Sequence, residues 1–439
     1  MDNQLIIRKF NQALNWNAFL YVIHNGLFFT TSLFLYKNLS SEDFSLWANI
    51  NCTVFLFLLW TDFGFRKSIP RYAPEFGANK KKIKSFITTL VSFQFFALTI
   101  ETPFFFFLSR FFTRQLGLHA SENILYLGCA LFFVEGMIRI IRLVYHSYFL
   151  QKQFNLLVSI VLIAQMIPII FLIVTNNSQN ALLKLFGIKI FSGLVILTGS
   201  LVMLLKLYKK ISQSGKKETS WEKKRWEFIQ HSGIMWLTSN TKSMTERNFL
   251  VPLFTFLLGH EQANIFKIAN DAALFFQRVA IRTIGTTDTS LFSYTDSEKK
   301  GKNSLAKTFV TLTTKLLTLC IPLLGISSII FFCGLHIQTN TFISKLSFIL
   351  TVCYLLHVLL SPYQRLLEVK RKYKALFIIY IPYFLLITLL FFSPIISSFG
   401  LLGSVIVIHG VRLVSAAIAS LIAHKQFKIR FFTRQTQKK

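Results

Sequence analysis

Apolar stretches recur along the whole length of this chain, and each runs for about 20 residues, enough to cross a hydrocarbon layer of ~30 Å. Only 15% of the 439 residues are charged, whereas soluble domains carry about 25%. The mean hydropathy is +0.52. These features exclude a soluble enzyme and predict an all-α, polytopic membrane protein.

The apolar windows predict twelve transmembrane helices, and the first is expected to be an uncleaved helix rather than a signal peptide. Five of the spans contain a proline, which bends a helix and releases backbone groups. The predicted spans are 13–36, 44–63, 85–108, 123–146, 155–175, 181–205, 228–258, 262–290, 308–332, 342–360, 375–393 and 399–424.

The distribution of lysine and arginine predicts the orientation of these helices. Segments on the side shared with both chain termini carry 34 of the 48 cations, counting Arg142 at the end of the fourth span. Cytoplasmic loops collect positive charge, so both termini are expected in the cytoplasm. Topology therefore explains the net charge of +30, and we expect no nucleic-acid partner. The opposite side holds only Lys37, Arg110, Arg114, Lys184 and Lys345.

Motifs for catalysis, metal binding or nucleotide binding are missing from the sequence. The five cysteines lie in or beside apolar stretches without the spacing of a metal site. There is no P-loop, no pair of catalytic carboxylates and no Ser/His/Asp set. We therefore expect no cofactor and no enzyme activity. Without a P-loop, the chain is not expected to draw energy from ATP.

The two halves of the chain resemble each other at an offset of 219 residues. Glu42, before the second span, matches Glu261 before the eighth, and Lys152, before the fifth span, matches Arg371 before the eleventh. Repeats of an even number of helices keep the same orientation and are related by an axis along the membrane normal. The pattern predicts two pseudo-symmetric six-helix lobes around a central cavity.

The lobe boundaries follow from the spans. Residues 1–205 form the predicted N-terminal lobe and residues 227–439 the predicted C-terminal lobe. A cytoplasmic linker, 206–226, joins them and carries eight cations. Transporters with this arrangement bind substrate between the lobes and move the lobes for alternating access.

Nine cations fall inside the predicted spans, where each costs about 2.5–3.5 kcal/mol at the centre of the bilayer on insertion scales. Three carboxylates lie one helical turn from a cation and could form structural ion pairs: Glu135 with Arg139, Glu246 with Lys242, and Asp271 with Lys267. About six cations then remain in excess. The nine are Arg139, Lys189, Lys242, Arg247, Lys267, Arg278, Arg282, Lys315 and Arg412.

An excess of buried positive charge predicts a site that an anion visits, and phosphate suits it because arginine binds phosphate bidentately and lysine as a point charge. The predicted substrate-binding residues are Arg139, Lys189, Lys242, Arg247, Arg278 and Arg412. Side chains that could line the same cavity are Glu135, Lys267, Asp271, Asn17 and His24, although packing between helices is an alternative role for the last two.

The segments around the second and eighth spans carry a family resemblance. Leu39, Glu42 and Phe44 precede the second span, the run Asp62 to Glu75 follows it, and Leu258 with Glu261 and the segment 294–298 are their counterparts. In these segments and in its helix pattern, the chain resembles the multidrug/oligosaccharidyl-lipid/polysaccharide (MOP) flippase superfamily. Within it, the chain looks most like the O-antigen (Wzx-like) polysaccharide flippases.

The resemblance implies a monomeric flippase in the bacterial inner membrane, surrounded by membrane lipids. Its substrate would be an undecaprenyl-pyrophosphate-linked glycan, moved from the cytoplasmic to the periplasmic leaflet, and a polysaccharide polymerase would be a further partner. The alternatives are a lipid II-type flippase and a MATE-type multidrug or cation exporter. MATE-type exporters use membrane-embedded carboxylates, but the first span, 13–36, has none.

Overall fold

The computed structural model describes residues 3–72, 80–147, 151–175, 180–210, 221–284, 302–335, 341–392 and 394–427. These residues form fourteen α-helices, and no β-strand occurs among them. The helices are α1 (Asn3–Asn38), α2 (Ser41–Trp60), α3 (Phe65–Tyr72), α4 (Lys80–Gln115), α5 (Glu122–Ser147), α6 (Gln151–Val174), α7 (Ala181–Lys210), α8 (Trp221–Ser243), α9 (Arg247–Leu258), α10 (His260–Ile284), α11 (Lys302–Ile329), α12 (Thr341–Val369), α13 (Tyr373–Phe392) and α14 (Ile395–Phe427).

Within the described residues, nine of these helices are long and apolar enough to cross a membrane. The nine are α2, α4 to α7 and α11 to α14. The more polar α1 and α10 coincide with the first and eighth predicted spans, and α8 and α9 together occupy the seventh. The prediction of a polytopic all-α membrane fold is confirmed.

The seventh span is not one continuous helix, so the single helix predicted over 228–258 is wrong. Helix α8 ends at Ser243, and Glu246 has an extended backbone before α9 begins. The hydroxyls of Ser243 and Thr245 bond to carbonyls of α8, at 2.7 Å and 3.1 Å. Such side chains compete with the helical hydrogen bonds of the backbone, which explains the break.

Helix α12 is longer than the predicted span 342–360. It extends to Val369, and the additional turns carry Arg365 and Glu368 towards the centre of the molecule. The sequence assigned both residues to a loop because they follow the apolar window.

The helix starts repeat at the offset that the sequence indicates. Helix α2 begins at Ser41 and α10 at His260, and α5 begins at Glu122 and α12 at Thr341. Both pairs are 219 residues apart. We call α1–α7 the N-lobe and α8–α14 the C-lobe.

The two lobes contact each other at both ends of α2. Where α2 begins, Asn264 Nδ2 donates to the Ser41 carbonyl at 3.0 Å. Where α2 ends, Trp236 Nε1 donates to the Trp60 carbonyl. Between these ends, α1 packs along α10 and α2 packs against α9. We call the end of the bundle at Trp60 the linker face and the end at Ser41 the opposite face.

A tight turn brings the lobes together at the linker face. Gly64 follows α2 with a φ of +78°, and its N–H donates to the Asp62 carboxylate at 2.8 Å. A Cβ on Gly64 would lie 2.0 Å from the Ser232 carbonyl oxygen of α8. Only glycine allows the two backbones to approach this closely.

Candidate functional site

The Asp271 carboxylate on α10 is at the centre of the first charged cluster. It accepts a hydrogen bond from Arg247 of α9 and one from Lys267 at 2.8 Å. Ser32 of α1 donates to it at 2.7 Å and accepts from Lys267 at 2.6 Å. The three charged residues are buried. One anion therefore neutralises two cations, and the cluster joins the N-lobe to the C-lobe.

Aromatic rings of the N-lobe complete the surroundings of this cluster. Lys267 Nζ lies 4.4 Å from the ring centre of Trp47. The guanidinium groups of Arg247 and Arg278 lie 5.4 Å and 5.2 Å from the ring centre of Phe28 on α1. Cation–π contacts of this kind stabilise a desolvated cation without cancelling its charge. On α10, Lys267, Asp271 and Arg278 thus all face the N-lobe.

Lys189 of α7 lies inside the N-lobe. Its ammonium donates to Asn51 of α2 and lies 5.4 Å from the ring centre of Phe55. No ion pair to Lys189 is recorded among the described residues. The half-buried Glu135 of α5 is near enough to interact with it electrostatically.

The Glu368 carboxylate, in the last turn of α12, is at the centre of a second cluster. Lys67 of α3 lies 2.6 Å from it, Lys242 of α8 lies 3.2 Å from it, and Arg365 lies 3.5 Å from it. Burial and the nearby Arg365 lower the pKa of Lys67 well below its usual range, and the Glu368 carboxylate opposes that shift. The expected pairing of Lys242 with Glu246 is wrong, because the extended turn after α8 separates these residues.

Arg139 of α5 points towards the end of α2. It donates to the Leu58 carbonyl and lies 3.9 Å from the Asp62 carboxylate. Burial raises the pKa of the Asp62 carboxyl, and Arg139 opposes that shift. The expected pair between Arg139 and Glu135 is therefore also wrong. Arg139 lies beside the Asp62 carboxylate in the turn after α2 instead of pairing with Glu135 on its own helix, α5.

Arg412 of α14 is half-buried and has no recorded hydrogen bond or carboxylate partner in the described part of the chain. Its guanidinium lies 5.6 Å from the ring centre of Tyr354 on α12. The Tyr354 ring also contacts His409 edge-on at 5.0 Å. A cation without a counter-ion thus lies beside aromatic and imidazole groups in the C-lobe.

Several buried polar atoms around Arg412 lack hydrogen-bond partners within the described residues. Both ring nitrogens of His409, His357 Nδ1, Asn270 Nδ2 and the Tyr380 hydroxyl are of this kind. The buried His409 ring therefore makes no hydrogen bond within the described residues. Buried donors without partners are costly, and a polar ligand or water could satisfy them.

The remaining predicted residues fall at less informative places. His24 is half-buried on α1, and Lys315 is half-buried on α11. The side chains of Asn17 and Arg282, the linker residues 211–220 and the segment 294–298 lie outside the described residues.

Taken together, these clusters contain nine cations and five carboxylates. Cations therefore outnumber carboxylates in these clusters. The cations are Lys67, Arg139, Lys189, Lys242, Arg247, Lys267, Arg278, Arg365 and Arg412, and the carboxylates are Asp62, Glu135, Glu246, Asp271 and Glu368.

Sequence reasoning missed Lys67, Arg365 and Glu368, because these three lie outside the apolar windows, and it gave no role to Asp62 at the end of the second window. Asp62 and Gly64 lie in the run of residues that carries the family resemblance, but the resemblance predicted no role for them. The acidic residue 3 positions after Arg365 on one helix face was the available signal for Glu368.

Several solved structures have an architecture similar to that of this chain. One similar structure is an outward-facing multidrug resistance MATE family transporter of the MOP superfamily. Its sequence is 12% identical to this chain, the alignment covers 95% of each chain, and the TM-score is 0.66. The eukaryotic MATE transporter AtDTX14 is 13% identical, covers 97% of this chain and 99% of its own, and gives 0.65. The chain has the MATE transporter fold. It thereby has the two six-helix lobes of that fold, with the charged clusters between and within them.

One further solved structure is similar to this chain in fold. A MOP superfamily transporter from Pyrococcus furiosus is 11% identical, covers 95% of each chain and gives a TM-score of 0.62. It is described as having a binding pocket of reverse polarity that suggests a different function. No protein-family model and no curated protein matches the chain.

Proposed function

We propose that this chain is a MOP-type transporter that moves an anionic, pyrophosphate-linked glycolipid across the membrane by alternating access. The observation that carries the proposal is the cationic surplus between and within the lobes. Asp271 forms ion pairs with two cations and Glu368 with three. Arg412 has no carboxylate partner in the described part of the chain.

A diphosphate suits this arrangement. Arg412 offers an unused bidentate fork, and the buried donors around it need acceptors. The lipid-linked oligosaccharide as the particular substrate rests on the likeness to the Wzx-like flippases. Outward movement of an anion from a negative cytoplasm is favoured by about 2.3 kcal/mol per charge per 100 mV. The membrane potential could therefore supply the energy without ATP.

The buried ion pairs indicate how the lobes would move. Lys67–Glu368 holds them together at the linker face, and Lys267–Ser32 holds them nearer the opposite face. A diphosphate that reaches the clusters would compete with Glu368 and Asp271 for the same cations. Substrate binding could thus loosen one contact between the lobes while the other persists, which is the requirement of alternating access.

A MATE-type exporter of cationic compounds is the second candidate, because several of the structural neighbours are MATE transporters. Cation binding needs a carboxylate that is free to accept the substrate. In the described residues, Asp271 and Glu368 are each already shared by two or more cations, whereas Glu135 and Glu246 have no recorded ion pair. The comparisons by themselves favour the exporter, and the anionic substrate rests on the larger number of cations than carboxylates in the clusters.

Transport by purified protein in liposomes tests the two functions against each other. We expect the protein to move a fluorescent undecaprenyl-pyrophosphate oligosaccharide between leaflets, as measured by its protection from a membrane-impermeant quencher. The Arg412→Gln variant should be at least tenfold slower. Lys345→Gln removes an exposed cation near the start of α12 and should match wild type. Efflux of a cationic dye without movement of the glycolipid would establish the exporter instead.

A further inference from the structure

A cleft of about 540 Å³ lies away from the charged clusters, at the linker face, where the lobes meet. Helices α3 and α4 of the N-lobe form one wall and α8 of the C-lobe forms the other. Its lining is mostly apolar and includes Phe65 and Phe93 on one side and Phe228 and Trp236 on the other. We call it the seam groove.

The wall contributed by α8 is one face of that helix. Arg225, Ile229, Ser232 and Trp236 all line the seam groove, and their spacing of 4, 3 and 4 residues places them on one stripe. From Arg225 to Trp236 the helix rises about 17 Å, close to the ~15 Å of hydrocarbon in one leaflet. The α8 wall of the groove is thus about as long as the hydrocarbon of one leaflet is thick.

Gly233 opens the groove at its middle. It lies inside α8, where glycine costs about 1 kcal/mol relative to alanine, and it lines the seam groove. A Cβ at Gly233 would meet nothing within 4 Å. Close packing against another helix therefore does not require this glycine. A glycine here leaves open space beside the groove that a larger side chain would fill.

Charge is concentrated at one end of the seam groove. Arg225 is the cation in its lining, is exposed, and has no recorded ion pair within the described residues. The neighbouring Trp226 is 67% exposed, as is common for tryptophans at the headgroup level. The seam groove thus has a cation at one end and aromatic side chains along the rest of its lining.

We propose that the seam groove binds an anionic glycerophospholipid from the leaflet at the linker face. One acyl chain lies between α4 and α8, and the phosphate lies at Arg225. This acyl chain contacts both lobes at once, so a bound lipid stabilises the closure of the lobes at the linker face. This site is independent of the proposed transport substrate.

Quenching of Trp236 fluorescence by brominated lipids tests the proposal in the full-length protein reconstituted in bilayers. The contribution of Trp236 is the difference between wild type and Trp236→Phe. We expect brominated phosphatidylglycerol to associate with the site about fivefold more tightly than brominated phosphatidylcholine, since one cation near the surface gives about that preference. Arg225→Gln should abolish the preference and leave quenching by both lipids.

Variants that fill the groove supply the second test. Gly233→Phe and, from the opposite wall, Thr89→Phe should reduce quenching of Trp236 severalfold. Gly325→Phe places the same side chain at an exposed glycine of α11 that also has open space and should quench like wild type. Equal quenching in wild type and in both groove variants would overturn the proposal. Displacement of phosphatidylglycerol by an equimolar polyprenyl phosphate would overturn the assignment of the occupant.

Discussion

Lys67 and Glu368 are 301 residues apart in the chain, yet the Lys67 ammonium lies 2.6 Å from the Glu368 carboxylate, with both side chains buried. The contact joins α3 of the N-lobe to the last turn of α12 in the C-lobe. Two further cations share the same carboxylate, so this contact between the lobes is built around one anion.

Removal of Lys67 should favour a state that is open at the linker face. In Lys67→Met, Glu368 keeps Lys242 and Arg365 but loses its bond to α3. A hydrogen bond to a charged group is worth about 1.5–3 kcal/mol, so the open population should rise by about tenfold or more. Electron–electron distances between spin labels at the exposed positions 66 and 374 would measure it.

The matched control for this prediction is an ion pair within one lobe. Arg110 and Glu122 lie 3.3 Å apart and are 40% and 60% exposed. Exposed pairs contribute little, so Arg110→Gln should leave the distance distribution unchanged. An unchanged distribution in Lys67→Met as well would show that the contact does not hold the lobes together.

Removal of the Asp271 charge should damage the fold more than removal of any single cation around it. Asp271→Asn leaves Lys267 and Arg247 buried together without an anion, and loss of one member of a buried pair costs about 3–5 kcal/mol. Adding Lys267→Met should recover part of that loss, because one of the unpaired charges is removed. Thermal unfolding in detergent measures both variants, with the exposed Glu122→Gln as control. A double variant that is less stable than Asp271→Asn would contradict this account.

Gly64→Ala should separate the lobes at the turn after α2. The new Cβ meets the carbonyl oxygen of Ser232, and the positive φ adds strain of about 1–3 kcal/mol. Gly117 also has a positive φ, but a Cβ there meets nothing within 4 Å. Gly117→Ala therefore reports the strain alone. Equal losses of thermal stability in the two variants would show that the approach of α8 to this turn is unimportant.

Pairing between neighbours on one helix could be predicted from sequence, whereas pairing between lobes could not. Lys267 and Asp271 form the expected contact because their spacing alone brings them together. Lys242 takes a carboxylate on another helix, since α8 ends beside it and α12 continues past its apolar window. Hydropathy locates a helix in the membrane but does not indicate which polar turns continue it on the inside of the bundle.

For the same reason, the partners of the N-lobe cations could be identified only from the tertiary structure. Arg139 reaches the end of α2 rather than the acid one turn away, and Lys189 binds an amide on α2. Their positions inside the membrane were read from the sequence, but each partner depends on which helix packs beside α5 or α7.

Arg412 should behave unlike the paired cations in a stability measurement. It has no recorded carboxylate partner among the described residues, so Arg412→Gln removes a costly half-buried charge and breaks no ion pair. We expect thermal stability equal to or above that of wild type, measured in the same detergent. A fall as large as that of Asp271→Asn would mean that Arg412 is structural rather than reserved for a ligand.

The most direct test of the cationic interior is the binding of a short-chain polyprenyl pyrophosphate to the purified protein, measured by titration calorimetry. We predict saturable binding that Arg412→Gln weakens at least tenfold, in line with the loss of a charged hydrogen bond. A cationic dye should not compete for the site. Tight binding of the dye with no binding of the pyrophosphate would contradict the account.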